Sequence, residues 1–287
     1  MSRISWFKNR LAILATMHQK ERVIAPLLET ELNLQVIVPS QFDTDRFGTF
    51  TREIKRVGTQ IEAARLKAQK VLEFTGETIA IASEGSFYPH PAFPFLSCDR
   101  EIVLLIDKTN QLEIIGQEIT TETNHNHQQV RSIEAALEFA QKVGFPEHGL
   151  VVMASQNSTE KEEIIKGIIT QEKLIESVEI FLKKSPTKTI HIETDMRAMY
   201  NPTRMKAIAK ATHNLIEKLN RFCPQCSAPG FDIVERLSGL PCGWCSSPTS
   251  LIRAAIYQCQ KCNYRQETLS PDGVETADPS YCPYCNP

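Results

Sequence analysis

The sequence has no uninterrupted apolar run near the roughly 18 residues that a membrane span requires, and its first six residues lack a basic stretch followed by an apolar core. It also lacks an excess of charge of either sign, since 32 Lys and Arg stand against 34 Asp and Glu. No global positive field therefore attracts nucleic acid or an anionic membrane. These absences predict a cytoplasmic protein that does not use a membrane and for which nucleic acid is not an expected partner.

Cysteine is almost absent before residue 221, where Cys98 stands alone and is expected to be a buried thiol. A hydrophobic fraction of 41% and a charged fraction of 23% are ordinary for a globular protein. A chain of 287 residues has room for one large domain and a smaller one. We place the boundary near Arg221 and predict an α/β domain at residues 1–220 and a zinc-ribbon domain at residues 221–287.

Strand-like apolar runs alternate with amphipathic stretches along the first 220 residues. The strand-like runs lie at 11–16, 34–39, 78–83, 101–107, 112–119, 149–154 and 187–193. The helix-like stretches lie at 18–31, 59–74, 128–143, 171–184 and 202–220, the last beginning at a favourable Asn201-Pro202 start. Strand followed by helix, repeated, predicts an α/β fold, and the adjacent runs 101–107 and 112–119 predict an antiparallel hairpin. We therefore predict a mixed sheet flanked by helices.

The last 65 residues hold eight of the nine cysteines as four CxxC pairs. Two thiolates at this spacing reach one tetrahedral ion, a pattern that suits metal better than disulfides in a reducing compartment. The spacers between successive pairs are 15, 13 and 19 residues, of which the first and third fit a zinc ribbon. We predict two structural zinc ions held by Cys223, Cys226, Cys242, Cys245, Cys259, Cys262, Cys282 and Cys285.

Sequential pairing, with the first two CxxC pairs on one ion and the last two on the other, is the simplest arrangement. Cross-bracing, in which the first and third pairs share an ion, and disulfides are the alternatives. Four protein ligands leave no position for water or substrate, so these ions are structural. Residues 221–287 carry five Lys or Arg and six Asp or Glu and lack the basic stripe of a phosphate reader. Their aromatic residues are expected to shield the metal and fill the core.

Three segments of the α/β domain carry residues suited to phosphate or metal. Lys20 follows the first strand and opens a helix, so its ammonium and the helix amides can jointly face an anion. Glu62 lies in the first turn of the helix after Gly58, and Glu84 ends an apolar strand, where open α/β sheets place ligand groups. Each also has an ordinary structural interpretation: a solvated lysine, a surface pair of Glu62 with Arg65, and a strand-terminal acid.

Taken in order, these segments resemble the inosine/xanthosine triphosphate pyrophosphatase superfamily, nucleotide hydrolases that include the Maf proteins. The resemblance covers residues 10–218 through short motifs. It implies that Lys20 holds phosphate, and that Glu62 and Glu84 are catalytic residues that hold magnesium.

Other parts of the chain fit this resemblance or depart from it. The hairpin after Cys98 looks like the family's central β-ribbon, and residues 201–204 resemble its Thr-Arg helix start near the substrate. Met17 or His18 stands where the family has an Asn before its phosphate lysine, and a single acid precedes Gly85. These departures concern the substrate and the activity.

Three further segments, at 42–50, 83–87 and 193–197, look like those of an uncharacterised bacterial family with a C-terminal zinc ribbon. That resemblance implies no activity.

The pyrophosphatase resemblance implies hydrolysis at the α-phosphorus of a nucleoside triphosphate. A divalent ion on Glu62 and Glu84 would lower the pKa of a bound water, and pyrophosphate would leave, stabilised by cations. The cations expected to bind substrate are Lys20, Lys67, Arg197 and Arg204.

We predict a metal-dependent phosphohydrolase, with a nucleoside triphosphate pyrophosphatase as the specific candidate. The alternative is a non-enzymatic interaction module that binds a protein, nucleotide or nucleic acid. Expected partners are a nucleotide or other phosphate-containing small molecule and a protein that docks on the zinc ribbons, and a homodimer is left open. Expected cofactors are two zinc ions and magnesium.

Overall fold

The computed structural model describes residues 6–49, 53–90 and 93–287 and divides the chain into two compact units. The N-terminal unit is Met1–Ile216 and the C-terminal unit is Glu217–Pro287. The boundary therefore lies slightly before the predicted position at residue 221. None of the helices in the described ranges is both long and apolar enough to cross a membrane.

The N-terminal unit follows the predicted alternation of strands and helices in most places. Its strands are β1 (Leu11–Ala15), β2 (Gln35–Ile37), β3 (Ile79–Pro89), β4 (Ser97–Asp107), β5 (Leu112–Thr120), β6 (His127–Val130), β7 (Leu150–Met153), β8 (Ile164–Ile168) and β9 (Ile190–Thr194). Its helices are α1 (Glu21–Leu32), α2 (Gln60–Thr75), α3 (Ile133–Lys142), α4 (Gln171–Lys184) and α5 (Pro202–Leu219), the last of which ends in the C-terminal unit.

The larger sheet is mixed, with the strand order β2-β1-β3-β4-β5. β1 pairs in parallel with β2 and β3, whereas β3, β4 and β5 form an antiparallel meander. Helix α2 covers one face, where Ala64, Ala68 and Val71 pack in one cluster with Ala80 and Leu104. The predicted α/β class, mixed sheet and antiparallel hairpin are confirmed.

Helix α5 packs against β5 at Gly116. A Cβ atom at this position would collide with backbone atoms of Ala211 and Leu215, so only glycine permits the close approach. The helix begins at the predicted cap, because Asn201 Oδ1 accepts a hydrogen bond from the backbone N–H of Arg204 at 3.0 Å. This cap fixes Arg204 in the first turn of α5.

The second sheet of the N-terminal unit is antiparallel, with the strand order β6-β9-β7-β8. Helices α3 and α4 share a buried core with Val152, Ile190 and Ile192 on one face. Because side chains alternate along a strand, His191 and Glu193 of β9 lie on the opposite face.

Two strands of this sheet differ from the sequence prediction. The predicted helix 128–143 is wrong at its start, since His127–Val130 form β6 and α3 begins at Ile133. β6 exposes three of its four residues, and β8 contains Gly167 at a φ of 68°. Neither strand shows the alternation of buried and exposed side chains from which a strand is predicted, and β8 is not predicted at all. Hydrogen bonds to neighbouring strands define both.

The C-terminal unit contains an antiparallel meander of three strands in sequence order. These strands are β10 (Asp232–Ser238), β11 (Ile252–Gln258) and β12 (Arg265–Leu269). Each strand lies between two successive CxxC pairs, so the four pairs alternate between the two ends of the sheet.

Candidate functional site

The end of β1 opens a groove along β3. The parallel pairing of β1 with β3 ends at Ala15 and Ala82, whereas β3 continues to Pro89 paired with β4 alone. Residues 83–87 therefore lack the β1 partner, and each of them lines at least one cavity. In open α/β sheets, ligands bind beyond the carboxyl ends of parallel strands.

Lys20 reaches this point from the start of α1. Its buried Nζ donates a hydrogen bond to Ser83 Oγ at 3.0 Å and lies 3.4 Å from the Ser83 carbonyl oxygen. Burial, and then the positive charges of Arg204 and Lys67, lower the pKa of Lys20 to about 7. The amine is therefore only partly charged at neutral pH, and a bound anion would restore its charge.

Lys67 and Glu84 meet at the same place. Lys67 Nζ lies 2.5 Å from Glu84 Oε1, and both side chains are 10% exposed. Lys20, Ser83, Lys67 and Glu84 line a cavity of about 20 Å³, which has room for one water molecule. The structure thus brings together three of the predicted site residues: Lys20, Lys67 and Glu84.

Glu62 does not join them. Its carboxylate accepts a hydrogen bond from the backbone N–H of Thr59 at 2.7 Å, and Thr59 Oγ1 accepts one from the Glu62 N–H, which completes a capping box. At 3.6 residues per turn, Glu62 lies about 140° around α2 from Lys67 and is exposed. Glu62 and Glu84 therefore do not form the expected magnesium pair in this structure.

Arg204 is fully buried in an ion pair. Its Nε lies 2.5 Å from Glu101 Oε1, both side chains are 0% exposed, and its Nη1 donates to the Met196 carbonyl oxygen. A Cβ atom at position 85 would collide with Glu101 and Arg204, which explains the need for Gly85. Arg204 contributes charge to the site while its guanidinium binds protein groups.

Asp99 is a buried acid that the sequence analysis does not select. Neither carboxylate oxygen accepts a hydrogen bond from the described residues. Burial, and then the negative charge of Glu101, raise the pKa of Asp99 to about 8. Asp99 and Glu101 lie at alternate positions of β4, so both face the same side of the sheet.

A larger cleft continues the groove beyond Glu84. Its volume is about 480 Å³, within the range of small-molecule sites. The rings of Phe87 and His125 stack in its wall, with centroids 5.2 Å apart. The cleft is lined by Thr49, Ile54, Lys55, Arg56, Ser86, Phe87, His125, Val151, Glu193, Thr194, Asp195 and Met196.

A third cavity lies between these two and shares residues with both. It shares Thr49 and Arg56 with the large cleft, and Gly48 and Glu84 with the Lys20 cavity. The three cavities therefore lie in sequence along β3. We call them together the β3 groove.

Arg197 pairs with Asp195, which lines the large cleft, but Arg197 is not itself among the residues that line the β3 groove. Its Nη2 lies 2.6 Å from Asp195 Oδ2, its Nε donates to Asp195 Oδ1 at 3.0 Å, and the guanidinium carbon lies 4.6 Å from the centre of the Tyr200 ring. Asp195 also accepts a hydrogen bond from the backbone N–H of Gly167. The predicted substrate-binding Arg197 is thus positioned by a buried carboxylate that itself lines the cleft.

The three segments that resemble a family with a zinc ribbon meet at this groove. Residues from each of 42–50, 83–87 and 193–197 line its cavities. Phe50, the last residue of the first segment, lies outside the described residues.

Two metal-ligand clusters lie in the C-terminal unit. In the part of the chain that the structure describes, they are the only groups of three or more such ligands whose atoms lie within 4.8 Å of one another. Cluster 1 is Cys223, Cys226, Cys259 and Cys262, and cluster 2 is Cys242, Cys245, Cys282 and Cys285. Both are compatible with structural zinc, which four thiolates bind in tetrahedral geometry.

Sequential pairing of the CxxC motifs is wrong, and cross-bracing is the observed arrangement. The reason is topological, because each strand of the meander carries the chain from one end of the sheet to the other. Backbone amides support the sulfurs in both clusters, since Trp244 N–H donates to Cys242 Sγ and Lys261 N–H to Cys259 Sγ, each at 3.4 Å.

These features define an α/β protein with a C-terminal unit that carries two four-cysteine clusters. Residues 67–287 match the DUF6671 family, described as a domain of unknown function, and the chain belongs to that family. No curated protein matches the chain. The crystal structure of protein VC0702 from Vibrio cholerae is similar over 73% of this chain and 94% of that chain, with 8% identity and a TM-score of 0.32. A similarity this weak does not define the fold, and the pyrophosphatase resemblance stays a prediction.

Proposed function

We propose that the N-terminal unit is a phosphohydrolase that binds a nucleotide-like phosphate compound in the β3 groove, with a nucleoside triphosphate as the first candidate. The observation that carries the proposal is the order of features along the groove. Lys20 and Lys67 lie at one end, and the stacked rings of Phe87 and His125 lie in the cleft at the other. Cations match a phosphate chain, and an aromatic wall matches a planar base.

The charge balance around Lys20 favours an anion. Lys20, Lys67 and Arg204 bring three cations, whereas Glu84 and Glu101 bring two carboxylates. Asp99 is mostly neutral at pH 7, because its pKa is raised to about 8. Asp45 also lines this cavity, where it pairs with His18 at 3.3 Å. Among the remaining groups, a protonated Lys20 leaves one positive charge in excess, which a phosphate oxygen would neutralise.

The proposed reaction is attack of water on phosphorus with cleavage of the phosphoanhydride bond. Lys20 and Lys67 would stabilise the negative charge that develops on the phosphate oxygens, and the protons of the water end on the products. The expected magnesium pair of Glu62 and Glu84 does not fit this structure, so no step is assigned to a metal. Glu84 lines the groove and stays the one acid of that pair with access to a substrate.

Calorimetric titration with a non-hydrolysable nucleoside triphosphate tests the site. Lys67→Met should weaken binding at least tenfold, a loss of about 1.4 kcal/mol. Lys70→Met is the matched control, since Lys70 lies on the same helix, is 49% exposed and pairs with Glu73. It should change the affinity less than twofold. Equal losses in both variants, or no binding to the parent protein, would contradict the proposal.

Turnover separates the enzyme from the interaction module. Binding that depends on Lys67 but is never followed by release of phosphate or pyrophosphate would assign the N-terminal unit to the non-enzymatic alternative.

A further inference from the structure

Three aromatic side chains beside cluster 2 are exposed. Trp244 is 80% exposed, Tyr281 59% and Tyr284 75%. Trp244 and Tyr284 lie inside the two CxxC loops that form the cluster, and Tyr281 directly precedes Cys282. All three are therefore fixed close to one metal site by the short loops that hold its ligands.

The core of the C-terminal unit uses other aromatic residues. Phe231 stacks with Tyr257 at 5.6 Å and with Tyr264 at 6.0 Å. Tyr257 and Tyr264 are partly buried beside Phe231, whereas the expectation that aromatic residues fill the core is wrong for the exposed three. Trp244, Tyr281 and Tyr284 need another explanation, because exposed Trp and Tyr are enriched at binding surfaces.

Charge indicates which partner these rings suit. Residues 237–252 and 266–287, which include all four ligands of cluster 2, contain no Lys or Arg. The second of these segments carries Asp272, Glu275 and Asp278, together with Glu267, whose carboxylate lies 3.7 Å from Nη2 of Arg253. Four thiolates around one zinc dication would add about two negative charges. Such a surface repels the phosphates of nucleic acid and attracts cations.

We propose that Trp244, Tyr281 and Tyr284 form a docking surface for a basic segment of a partner protein. Lys or Arg side chains of that segment lie on the faces of the rings, and the negative field of cluster 2 and the nearby acids attracts them. Trp is the best cation–π partner among the aromatic residues, which makes Trp244 the main contact. The proposal is independent of the activity of the β3 groove.

Fluorescence anisotropy of labelled octa-arginine, titrated with the full zinc-loaded protein, tests this surface. Combined Trp244→Ala and Tyr284→Ala substitution should weaken binding at least tenfold, whereas Trp244→Phe, which keeps a weaker aromatic face, should give an affinity between those of the double variant and the parent protein. Phe95→Ala is the control, because Phe95 is 82% exposed in the N-terminal unit. It should change the affinity less than twofold. The zinc content of each variant verifies that the C-terminal unit is intact.

Two results would overturn the proposal. One is octa-arginine binding that is absent, or equal in the parent protein and the double variant. The other is tighter, Trp244-dependent binding of a labelled oligothymidylate, which would make the surface a nucleic-acid site. Asp278→Asn tests the role of charge, since the Asn oxygen can still accept the hydrogen bond from the Ser280 N–H. This substitution should weaken binding of the peptide and should not weaken binding of the oligonucleotide.

Discussion

The buried amine of Lys20 links the stability of the N-terminal unit to pH. Its pKa is lowered from 10.5 to about 7 in the folded protein, chiefly by burial. Between these values the unfolded chain binds more protons than the folded chain, so this residue makes stability rise with pH. Below pH 7 the Lys20 amine is charged in both the folded and the unfolded chain, so the folded protein bears the full free-energy cost of burying that charge.

Lys20→Met should therefore stabilise the protein more at pH 6 than at pH 9. We expect the gain at pH 6 to exceed the gain at pH 9 by about 2 kcal/mol, because the folded chain holds the proton at pH 6 and not at pH 9, whereas the unfolded chain holds it at both. Urea unfolding at a series of pH values measures the difference. A gain that does not vary with pH would contradict the lowered pKa of Lys20, and Lys70→Met provides the surface control.

Glu62 and Glu84 should respond differently to the same substitution. Glu84→Gln leaves Lys67 without its carboxylate in a largely buried site and should cost about 1–3 kcal/mol of unfolding free energy. Glu62→Gln keeps the capping box, in which Gln serves as well as Glu, so the melting temperature should stay unchanged. Turnover should fall with Glu84→Gln only. Equal losses of turnover in both variants would contradict this difference and support the predicted magnesium site of Glu62 and Glu84.

At the scale of elements, cross-bracing makes a distinctive prediction about metal content. Replacing the first and third CxxC pairs by SxxS removes cluster 1 alone and should leave one zinc per chain. Replacing the first and second pairs damages both clusters and should leave none. Elemental analysis of protein purified without added metal distinguishes them, against two ions in the parent. The reverse pattern would support sequential pairing.

The elements that sequence predicts best are those with a clear period. Helix α4 is predicted at its observed bounds, because apolar residues recur every three or four positions after the capping residue Thr170. β6 and β8 are not predicted from sequence, because they are defined by backbone pairing with neighbouring strands and not by a pattern of alternating side chains. Cross-bracing follows from the three strands between the CxxC pairs, and without those strands the spacers alone favour sequential pairing.

The site residues, too, can be predicted from sequence only where a local pattern marks them. Lys20 can be selected from sequence because it opens the helix that follows β1, and Glu84 because it ends an apolar run, although β3 itself continues past Glu84 to Pro89. The role of Glu62 cannot be predicted from sequence, since an acid in the first turn of a helix can serve either as a cap or as a metal ligand. Asp99 and Glu101 become visible only when β4 is paired with β3 and Arg204 is buried against them.

At the scale of the whole molecule, the two units should differ in their dependence on metal. The C-terminal unit has short strands and two cysteine clusters, so its folding should be coupled to zinc, whereas the N-terminal unit has large apolar cores of its own. A chelator should abolish the near-ultraviolet circular dichroism of Tyr257 and Tyr264, whose rings are fixed against Phe231, and leave most helical circular dichroism intact. Loss of both signals together would contradict this independence.

Release of pyrophosphate from a panel of standard and deaminated nucleoside triphosphates, with and without magnesium, tests the proposed function most directly. Turnover of at least one triphosphate is expected. Lys20→Met and Lys67→Met should each lower kcat/KM by about two orders of magnitude, and Lys70→Met should leave it unchanged. An inert panel, or equal rates for Lys67→Met and Lys70→Met, would contradict a phosphohydrolase site in the β3 groove.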